Sequence, residues 1–335
     1  MKTQSMPSIQ STQLAAPVRP DNSGATAAHG ATTRATLTEQ VGMFLIIAVP
    51  FCIAVYAAIA LTRGVVHWWY PVAAVVAATI ANLGTTAGYH RMLTHQSFKA
   101  HPAVQYVLLI LGAVAGMDSP VHWAHGHLHH HSHSDMEDDL HSPHTPRFVE
   151  GRFHRFRQWL DSHMGWMFRH QTIRVSARAR QLTGLPAAQF VHKTALAWLL
   201  GGLLVPACFG WNAFVWLGAV RLFLNHHITW SVNSICHMWG SQPFKNTRDE
   251  SRNNVIVGIL ALGEGWHNNH HFRPTSARHG LFRGQVDVTY MFICALERCK
   301  LATDVKRYIQ CRQCQDWHLQ CGKSSEVCLD CRRTT

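Results

Sequence analysis

The nonapeptide GEGWHNNHH, residues 263–271, places three histidines at a helical spacing near the end of the chain. His267, His270 and His271 stand at positions i, i+3 and i+4, which lie on one face of an α-helix. Three imidazoles on one face can converge on a single point, and neutral imidazole is the commonest side-chain ligand of transition metals. A polar, exposed helix face would give the same pattern, so this stretch alone leaves both interpretations open.

A second stretch, HGHLHHHSHSD, repeats this spacing at His127, His130 and His131. The chain has 26 histidines in 335 residues, and so dense a run contains many spacings. The second triplet is therefore weaker evidence than the first when it is taken alone. Two copies of one triplet far apart in the chain together indicate a metal site.

Charged and apolar residues are sharply segregated along the chain. It carries 30 Lys and Arg against 18 Asp and Glu, a net charge of +12, which suits nucleic acid, anionic lipid headgroups or a polyphosphate ligand. The runs 41–62 and 68–89 have no charge, and each is long enough for a membrane-spanning helix. The apolar region 194–220 is too long for one span and, extended to His227, splits at CFGWN into two helices joined by a tight turn. The run 102–117 is short for a span and is typical of a re-entrant or interfacial segment.

These runs predict an all-α integral membrane protein with four transmembrane helices in two hairpins and a cytosolic helical cap. Between Arg147 and Lys193 stand nine Lys and Arg against two acids, and such loops stay on the cytosolic side. The polar regions 118–193 and 228–335 and both termini are then cytosolic. The membrane would be the cytoplasmic membrane in a bacterium or the endoplasmic reticulum in a eukaryote. A lipid bilayer is the predicted partner, and no nucleic acid is.

Composition divides the chain into three segments. Residues 1–40 are rich in Ser, Thr, Ala, Gln and Pro and predict a disordered tail, residues 41–305 a membrane domain, and residues 306–335 a cysteine-rich tail. The first apolar run begins late and is long enough to span, so it is interpreted as an uncleaved anchor. CRQC and CLDC in the last segment have nearly the spacing of a zinc ribbon, with a redox role or a disordered thiol-rich tail as alternatives. The cysteines concerned are Cys311, Cys314, Cys321, Cys328 and Cys331.

Further histidines occur where the predicted spans end. His90 and His95 follow the second span, and a spacing of five places them about 140° apart around an α-helix. Both can serve one centre only if the helix ends or unwinds there, or if they reach two adjacent ions. Asn233 and His237, at i and i+4, follow the fourth span. Ordinary polar roles are expected for His122, His125, His129, His133, His144, His226 and His227, with His141 and His163 intermediate.

The candidate ligands are too numerous for one ion. A structural zinc takes four ligands and a catalytic zinc three plus water, whereas nine imidazoles suit two ions of higher coordination number. Nitrogen ligands suit Zn, Cu, Fe or Ni, and iron is favoured because open positions on it activate dioxygen next to a membrane that offers acyl chains. Asn233 is expected to add a contact through water. The nine imidazoles are those of His90, His95, His127, His130, His131, His237, His267, His270 and His271.

The stretches HRMLTH, HLHHHSHSD, WSVNSICH and GEGWHNNHH resemble the histidine boxes of the membrane fatty acyl desaturases, specifically the acyl-CoA delta-9 (stearoyl-CoA-type) branch. GTTAGYHRMLTHQSFK, DLHSPH, SHMGWMF, DESRNN and PTSARHGL are also similar, and the resemblance covers residues 41–305. It implies a mushroom-like protein with four spans and a cytosolic cap, in which the nine histidines bind two irons and Asn233 holds a water on one of them. It implies oxygen-dependent insertion of a cis double bond into a saturated acyl chain of an acyl-CoA or acyl-lipid. Electrons would come from a separate donor of the ferredoxin, cytochrome b5 or flavin reductase type.

Two departures from that pattern affect the substrate headgroup more than the reaction. Leu128 stands where family members have Arg, and Leu140 stands where they have Pro in Asp-Pro-His. The basic loop 147–193 suits CoA phosphates, although ordinary positive-inside charge explains it as well. Trp123, Trp230, Trp239 and Trp266 flank the boxes and either line an acyl tunnel or pack in the core.

Two other functions share these sequence features. One is a histidine-box membrane hydroxylase of alkyl or acyl chains, against which the forms NSICH and GEGWHNNHH argue. The other is a histidine-rich metal-handling membrane protein. Its ligands would lie at mid-membrane on facing helices, whereas the boxes here lie at the ends of the predicted spans.

Overall fold

The computed structural model describes residues 37–144, 151–168, 175–310 and 317–320. Outside these ranges lie residues 1–36 of the predicted N-terminal tail, Arg147, Arg169 and Arg174 of the basic loop, and the five cysteines of the C-terminal tail. The described residues are mostly helical. The α-helices are α1 (Leu37–Thr62), α2 (Trp69–Leu83), α3 (Pro102–Val114), α4 (Pro120–His133), α5 (His154–His163), α6 (Ala177–Thr183), α7 (Pro186–Leu204), α8 (Trp211–Ala213), α9 (Arg221–Ile235), α10 (Val255–Leu260), α11 (His267–Phe272) and α12 (Val288–Arg298).

Helices of other types extend several of these elements. The π-helical segment Gly84–Thr94 continues α2, and the π-helical segment Phe214–Val220 joins α8 to α9. A 3₁₀ turn, Val205–Phe209, continues α7, and another, Gly165–Phe168, follows α5.

Four short strands depart from the all-helical prediction. Strand β1 (Lys99–Ala100) pairs antiparallel with β2 (Ala302–Thr303), which ties the end of the second long helix to the C-terminal part of the chain. Strand β3 (Arg307–Gln310) pairs antiparallel with β4 (Trp317–Gln320), inside the segment predicted as a tail.

Three helices in the described ranges are long and apolar enough to cross a membrane: Gln40–Thr62, Trp69–Thr94 and Pro186–Phe209. The next helix runs without a break from Trp211 to Ile235, but it carries Arg221 and several polar residues and is less apolar. The two are separated at Gly210, whose φ of 101° requires glycine and falls in the predicted CFGWN turn. The structure therefore has three strong candidate spans, and the fourth stays a prediction.

Close packing against α3 holds the second long helix in place. A Cβ atom on Gly84 would lie 2.1 Å from the backbone nitrogen of Gly112, and one on Gly112 would lie 2.4 Å from the ring of Tyr89. Helix α3 has 13 residues, about 20 Å of helix, which is too short to cross a bilayer of about 30 Å, as the sequence indicates. It leads into α4, which begins at Pro120 with Ser119 as its N-cap.

Candidate metal centre

All nine predicted histidines come together in two adjacent clusters at one end of the long helices. In each cluster the ligand atoms lie within 4.8 Å of one another, and most of the side chains are buried. The first cluster contains His90, His95, His127, His131 and His270. The second cluster contains His130, His237, His267 and His271. The rings of His131 and His271 stack with centroids 4.5 Å apart, so the clusters share a wall.

The π-helical segment explains how His90 and His95 reach the same cluster. The backbone N–H of His95 donates to the carbonyl of His90 at 3.0 Å, a bond from residue i+5 to residue i, as in a π-helix. The hydroxyl of Thr94 donates to the carbonyl of Tyr89 at 2.7 Å and supports the same turn. An underwound helix therefore places residues five apart on one face, where an α-helix would separate them by about 140°.

Each histidine triplet divides between the two clusters, contrary to convergence on a single point. In α4, His127 and His131 face the first cluster and His130 the second. In α11 the assignment is reversed, with His270 alone in the first cluster. The reason is helical geometry: relative to residue i, position i+4 is rotated by about 40° one way and position i+3 by about 60° the other way.

The ring nitrogens of each cluster lie close enough together to share one metal ion. In the first cluster, the Nε2 atoms of His95 and His127 are 2.9 Å apart, and those of His90 and His270 are 3.1 Å apart. In the second cluster, His237 and His267 approach to 3.1 Å. Two nitrogens about 2.1 Å from one ion are about 3.0 Å apart at right angles and about 3.4 Å apart in a tetrahedron. The nitrogen donor set of each cluster therefore fits a transition-metal ion.

Carboxylates bind the outward nitrogen of four of these rings. Such a partner holds the proton on Nδ1 and leaves the lone pair of Nε2 free for a metal. Only one of two facing Nε2 atoms can donate a hydrogen, so clusters of this kind need a cation to offset their lone pairs. The four pairs are His90–Glu264 at 2.6 Å, His130–Asp139 at 3.0 Å, His237–Asp135 at 3.0 Å and His271–Asp249 at 2.7 Å.

Burial also shifts the pKa values of these histidines and carboxylates. Burial first, and then the neighbouring imidazoles, lower the pKa of His267 and His270 well below the ordinary value, so both are neutral at physiological pH. Burial also lowers the pKa of His237, but the charge and hydrogen bond of Asp135 outweigh it and raise that pKa to about 9 in the absence of a metal. For Asp135, burial is the largest single effect and raises the pKa, but the charge of His237 and the hydrogen bonds from His237, Ser142 and the backbone of Glu250 together lower it to below the usual range. This carboxylate is therefore ionised and accepts the Nδ1 proton of His237.

A buried arginine holds Glu264 against the first cluster. Arg91 is fully buried and donates from Nη2 to Oε1 of Glu264 at 3.0 Å and from Nη1 to Oδ1 of Asp287 at 2.9 Å. Nδ1 of His279 lies 3.4 Å from Oε2 of Glu264. These contacts fix the carboxylate that orients His90.

The sequence analysis missed the four carboxylates and His279. The ring of His279 lies 4.5 Å from that of His270, and its Nε2 is buried without a hydrogen-bond partner in the described residues. The sequence did contain a signal for these carboxylates. The chain has few acidic residues, and some of them stand beside the histidine boxes. Glu264, for example, lies within the stretch GEGWHNNHH itself.

Asn233 lies on α9, four residues before His237 of the second cluster. It is half-buried, and its side chain makes no hydrogen bond to another described residue. Its contact with a metal through water stays a prediction.

The histidines expected to have ordinary polar roles lie outside the two clusters. His129, for example, contacts the carbonyl of Asp138, and His144 that of His237. Of the two intermediate ones, His141 lies beside His130 and Asp139, whereas His163 contacts Ser234 and His227 away from both clusters.

Two of the four tryptophans lie beside cluster histidines: Trp123 contacts His127, and Trp266 precedes His267 in the sequence. Trp123 stacks on His127 with ring centroids 4.6 Å apart. Trp266 is buried, and its indole N–H donates to the carbonyl of Val286 at 2.8 Å. Trp230 is also buried, whereas Trp239 is 43% exposed.

Comparison with known proteins identifies the family of this chain. A family model described as fatty acid desaturase matches residues 66–282. A hex-5-enoyl-(acyl-carrier protein) acetylenase of Moorena producens is 33% identical over 255 residues, which are 71% of this chain and 79% of that protein. An sn-1 stearoyl-lipid 9-desaturase of Anabaena variabilis is 36% identical over 227 residues, 67% of this chain and 79% of that protein.

A third relative is a chloroplastic palmitoyl-monogalactosyldiacylglycerol delta-7 desaturase of Arabidopsis thaliana, 39% identical over 229 residues. The match covers 67% of this chain but only 58% of the Arabidopsis protein. The names of these relatives differ in headgroup and in double-bond position, so they agree on a family and not on a substrate. The family match and the histidine clusters lead to one conclusion: the chain belongs to the fatty acid desaturase family and is a fatty acyl desaturase.

Proposed function

We propose that the protein inserts a cis double bond at the delta-9 position of a saturated fatty acyl chain, with dioxygen as co-substrate and two irons as the metal pair. The observation that carries this proposal is the pair of adjacent histidine clusters, each with carboxylates behind its rings, at one end of apolar helices. The ligands proposed are the nine clustered histidines, with Asn233 contributing through water. When bound, the iron pair would supply the oxygen activation that an unactivated methylene requires.

The residues of this chain bind the metals, orient the histidine rings and exclude bulk water. The Nε2 atoms of the nine histidines hold the metals, and the four carboxylates keep the protons on the outward nitrogens. Burial of both clusters excludes bulk water, which protects reactive species from side reactions. Trp123, stacked on His127, presents an apolar face beside the first cluster, where a methylene chain would pack.

The acyl headgroup is proposed to be CoA, with an acyl-lipid as the second candidate. The resemblance of the histidine boxes to the acyl-CoA branch supports CoA. The names of the Anabaena and Arabidopsis relatives, which act on lipids, support the alternative. The position delta-9 agrees with the name of the Anabaena relative.

The protein is proposed to be multi-pass, with four spans, and to carry its histidine clusters and termini on the cytosolic side. The excess of Lys and Arg in the loop 147–193 supports this orientation. The electrons are proposed to come from a separate carrier of the ferredoxin, cytochrome b5 or flavin reductase type.

Expression in a desaturase-deficient host tests the proposed function. Gas chromatography with double-bond location is expected to show a new delta-9 monoene, and purified protein is expected to contain two irons per chain. His130→Ala and His267→Ala are expected to abolish product with membrane insertion intact, while His67→Ala, at an exposed loop histidine, is expected to keep full activity. Stearoyl-CoA and stearoyl-lipid supplied separately distinguish the two headgroups.

Three results would contradict the proposal. A hydroxylated acyl product without a double bond would establish a membrane hydroxylase. Active protein that contains zinc as its only metal would contradict the proposed activation of dioxygen by iron. No new monoene with electron donors supplied would refute the desaturase assignment for saturated chains.

A further inference from the structure

An exposed apolar surface lies on the two segments that flank the stretch GEGWHNNHH, residues 263–271. It is formed by one face of α10 and the start of α12. Isolated apolar side chains are ordinary on a protein surface, but six exposed apolar side chains on two neighbouring segments mark an interaction site. The α10–α12 surface consists of Val255 (59% exposed), Ile256 (70%), Ile259 (60%), Leu260 (55%), Val286 (54%) and Met291 (63%).

The inner face of α10 packs against the end of a long helix. Val257 and Ala261 form a buried cluster with Val232 and Cys236 of α9, and Ile228 packs beside them. The continuous helix 211–235 is about 37 Å long, whereas the hydrocarbon core of a bilayer is about 30 Å thick. If this helix spans, its last turns lie at the membrane surface, and α10 lies there with them.

The start of α12 is tied to a second long helix at a similar depth. The hydroxyl of Thr289 donates to that of Thr86 at 2.8 Å, and both residues are buried. Thr86 belongs to the candidate span Trp69–Thr94 and lies about 12 Å before its end. That helix, at about 39 Å, exceeds the hydrocarbon core by about 9 Å, so Thr86 falls near the core boundary.

The rim of the surface has the composition of a membrane interface. Trp239 is 43% exposed, and its carbonyl accepts from Nδ2 of Asn254, the N-cap of α10, at 3.3 Å. Arg283 and Arg298 are exposed on either side of the α12 part. Tryptophan is enriched where headgroups meet acyl chains, and basic side chains attract anionic headgroups.

We propose that the α10–α12 surface inserts into the headgroup–acyl boundary of the leaflet nearest the histidine clusters, in contact with the acyl chains of an anionic phospholipid bilayer. The chain segment between its two parts contains Glu264, His267, His270 and His271, so lipid holds this part of the metal centre from both sides. The inference goes beyond the proposed reaction and rests only on the long helices crossing a bilayer.

Photolabelling from lipid tests this placement. The full chain is reconstituted in nanodiscs of phosphatidylcholine and phosphatidylglycerol that contain a lipid with a diazirine on its acyl chain, irradiated, digested with trypsin and mapped by mass spectrometry. Adducts are expected on Val255–Leu260 in the peptide 253–278 and on Val286–Met291 in the peptide 284–298. Their yield should be comparable with that of the spanning peptide 64–91.

A substitution on the exposed face separates lipid contact from other causes. Ile256→Asp combined with Ile259→Asp is expected to reduce labelling of the peptide 253–278 to background and to leave that of the peptide 64–91 unchanged. Asn246→Asp, at an exposed position on the nearby loop, is the matched control and should change neither.

Three outcomes overturn the inference. The first is labelling of the peptide 64–91 with none on the other two peptides, which would place the surface in water while membrane insertion stands. The second is replacement of the lipid adducts by cross-links between two copies of the chain. The third is labelling that the two aspartates leave unchanged.

Discussion

Replacing Asp135 with Asn removes one charge from behind the second cluster while preserving the shape of the side chain. Oδ2 of Asp135 lies 3.0 Å from Nδ1 of His237 and accepts from the backbone N–H of Glu250 at 2.7 Å. The φ of Asp135 is 60°, a left-handed conformation that Asn tolerates better than most residues. Asp135→Asn therefore removes the charge without straining the backbone. Asp135→Ala would also remove the charge, but it would strain the backbone.

The expected effect is confined to one metal. Loss of a carboxylate behind a ligating histidine typically lowers metal affinity about 10- to 100-fold, or about 1.4–2.8 kcal/mol. Asp135 contacts His237 of the second cluster, whereas the carboxylate behind the first cluster is Glu264. We therefore expect weaker binding of one metal, unchanged binding of the other, and loss of desaturation.

The assay is metal content after dialysis against graded chelator, with product formation measured on the same samples. Asp135→Asn is expected to pass through a one-metal state at chelator concentrations that leave both metals in the unsubstituted protein. Asp304→Asn, which removes an exposed carboxylate paired with Lys99, is the control and should match the unsubstituted protein. Retention of both metals, or equal loss of both, would refute the assignment of Asp135 to the second cluster alone.

Three further predictions concern packing, buried charge and pH. Gly84→Ala forces apart the second long helix and α3 and is expected to destabilise the fold by about 1–3 kcal/mol, whereas Gly201→Ala, with no atom within 4 Å of the added Cβ, should be tolerated in the same thermal unfolding assay. Arg91→Met leaves Glu264 and Asp287 buried without their cation and should lower the unfolding free energy by about 3–5 kcal/mol in denaturant titrations. Burial lowers the pKa of His131, His267 and His270, so unfolding of the metal-free protein takes up protons at these groups below about pH 6.5, and their contribution to stability should be full above that pH and fall on acidification. Denaturant midpoints of metal-free protein across this range measure the last effect, and a midpoint that rises on acidification would contradict it.

The histidines were predictable because their signal is local. Spacings of three and four on a helix, and apolar runs long enough to span, are properties of short stretches. Which ring joins which cluster is not local. Helical geometry separates His130 and His270 from the other two histidines of their triplets, but only the packed structure shows that His130 joins His267 and His271 and that His270 joins His127 and His131.

The carboxylates were missed because most of their partners are distant in sequence. Asp135 meets His237, and Arg91 meets Glu264 and Asp287, across long stretches of chain that no spacing rule connects. A buried charge needs a partner, but the partner can come from anywhere in the fold. The strand pair β1–β2 was missed for the same reason, since two-residue strands have no readable alternation.

The five-residue spacing of His90 and His95, which conflicts with an α-helix, is itself informative once the π-helical segment is known. A π-turn is a rare and costly departure, and its occurrence at functional sites implies that something else stabilises it. Here two neighbours of these histidines are also satisfied by the underwound turn: Tyr89 donates its hydroxyl to the carbonyl of Asp118, and Arg91 meets its two acids. One backbone conformation thus accommodates two histidines of the first cluster, a buried cation and a buried phenol at once. A histidine pair at i and i+5 at the end of an apolar helix, next to a glycine-containing run such as GTTAG, therefore favours a π-helix over a helix end.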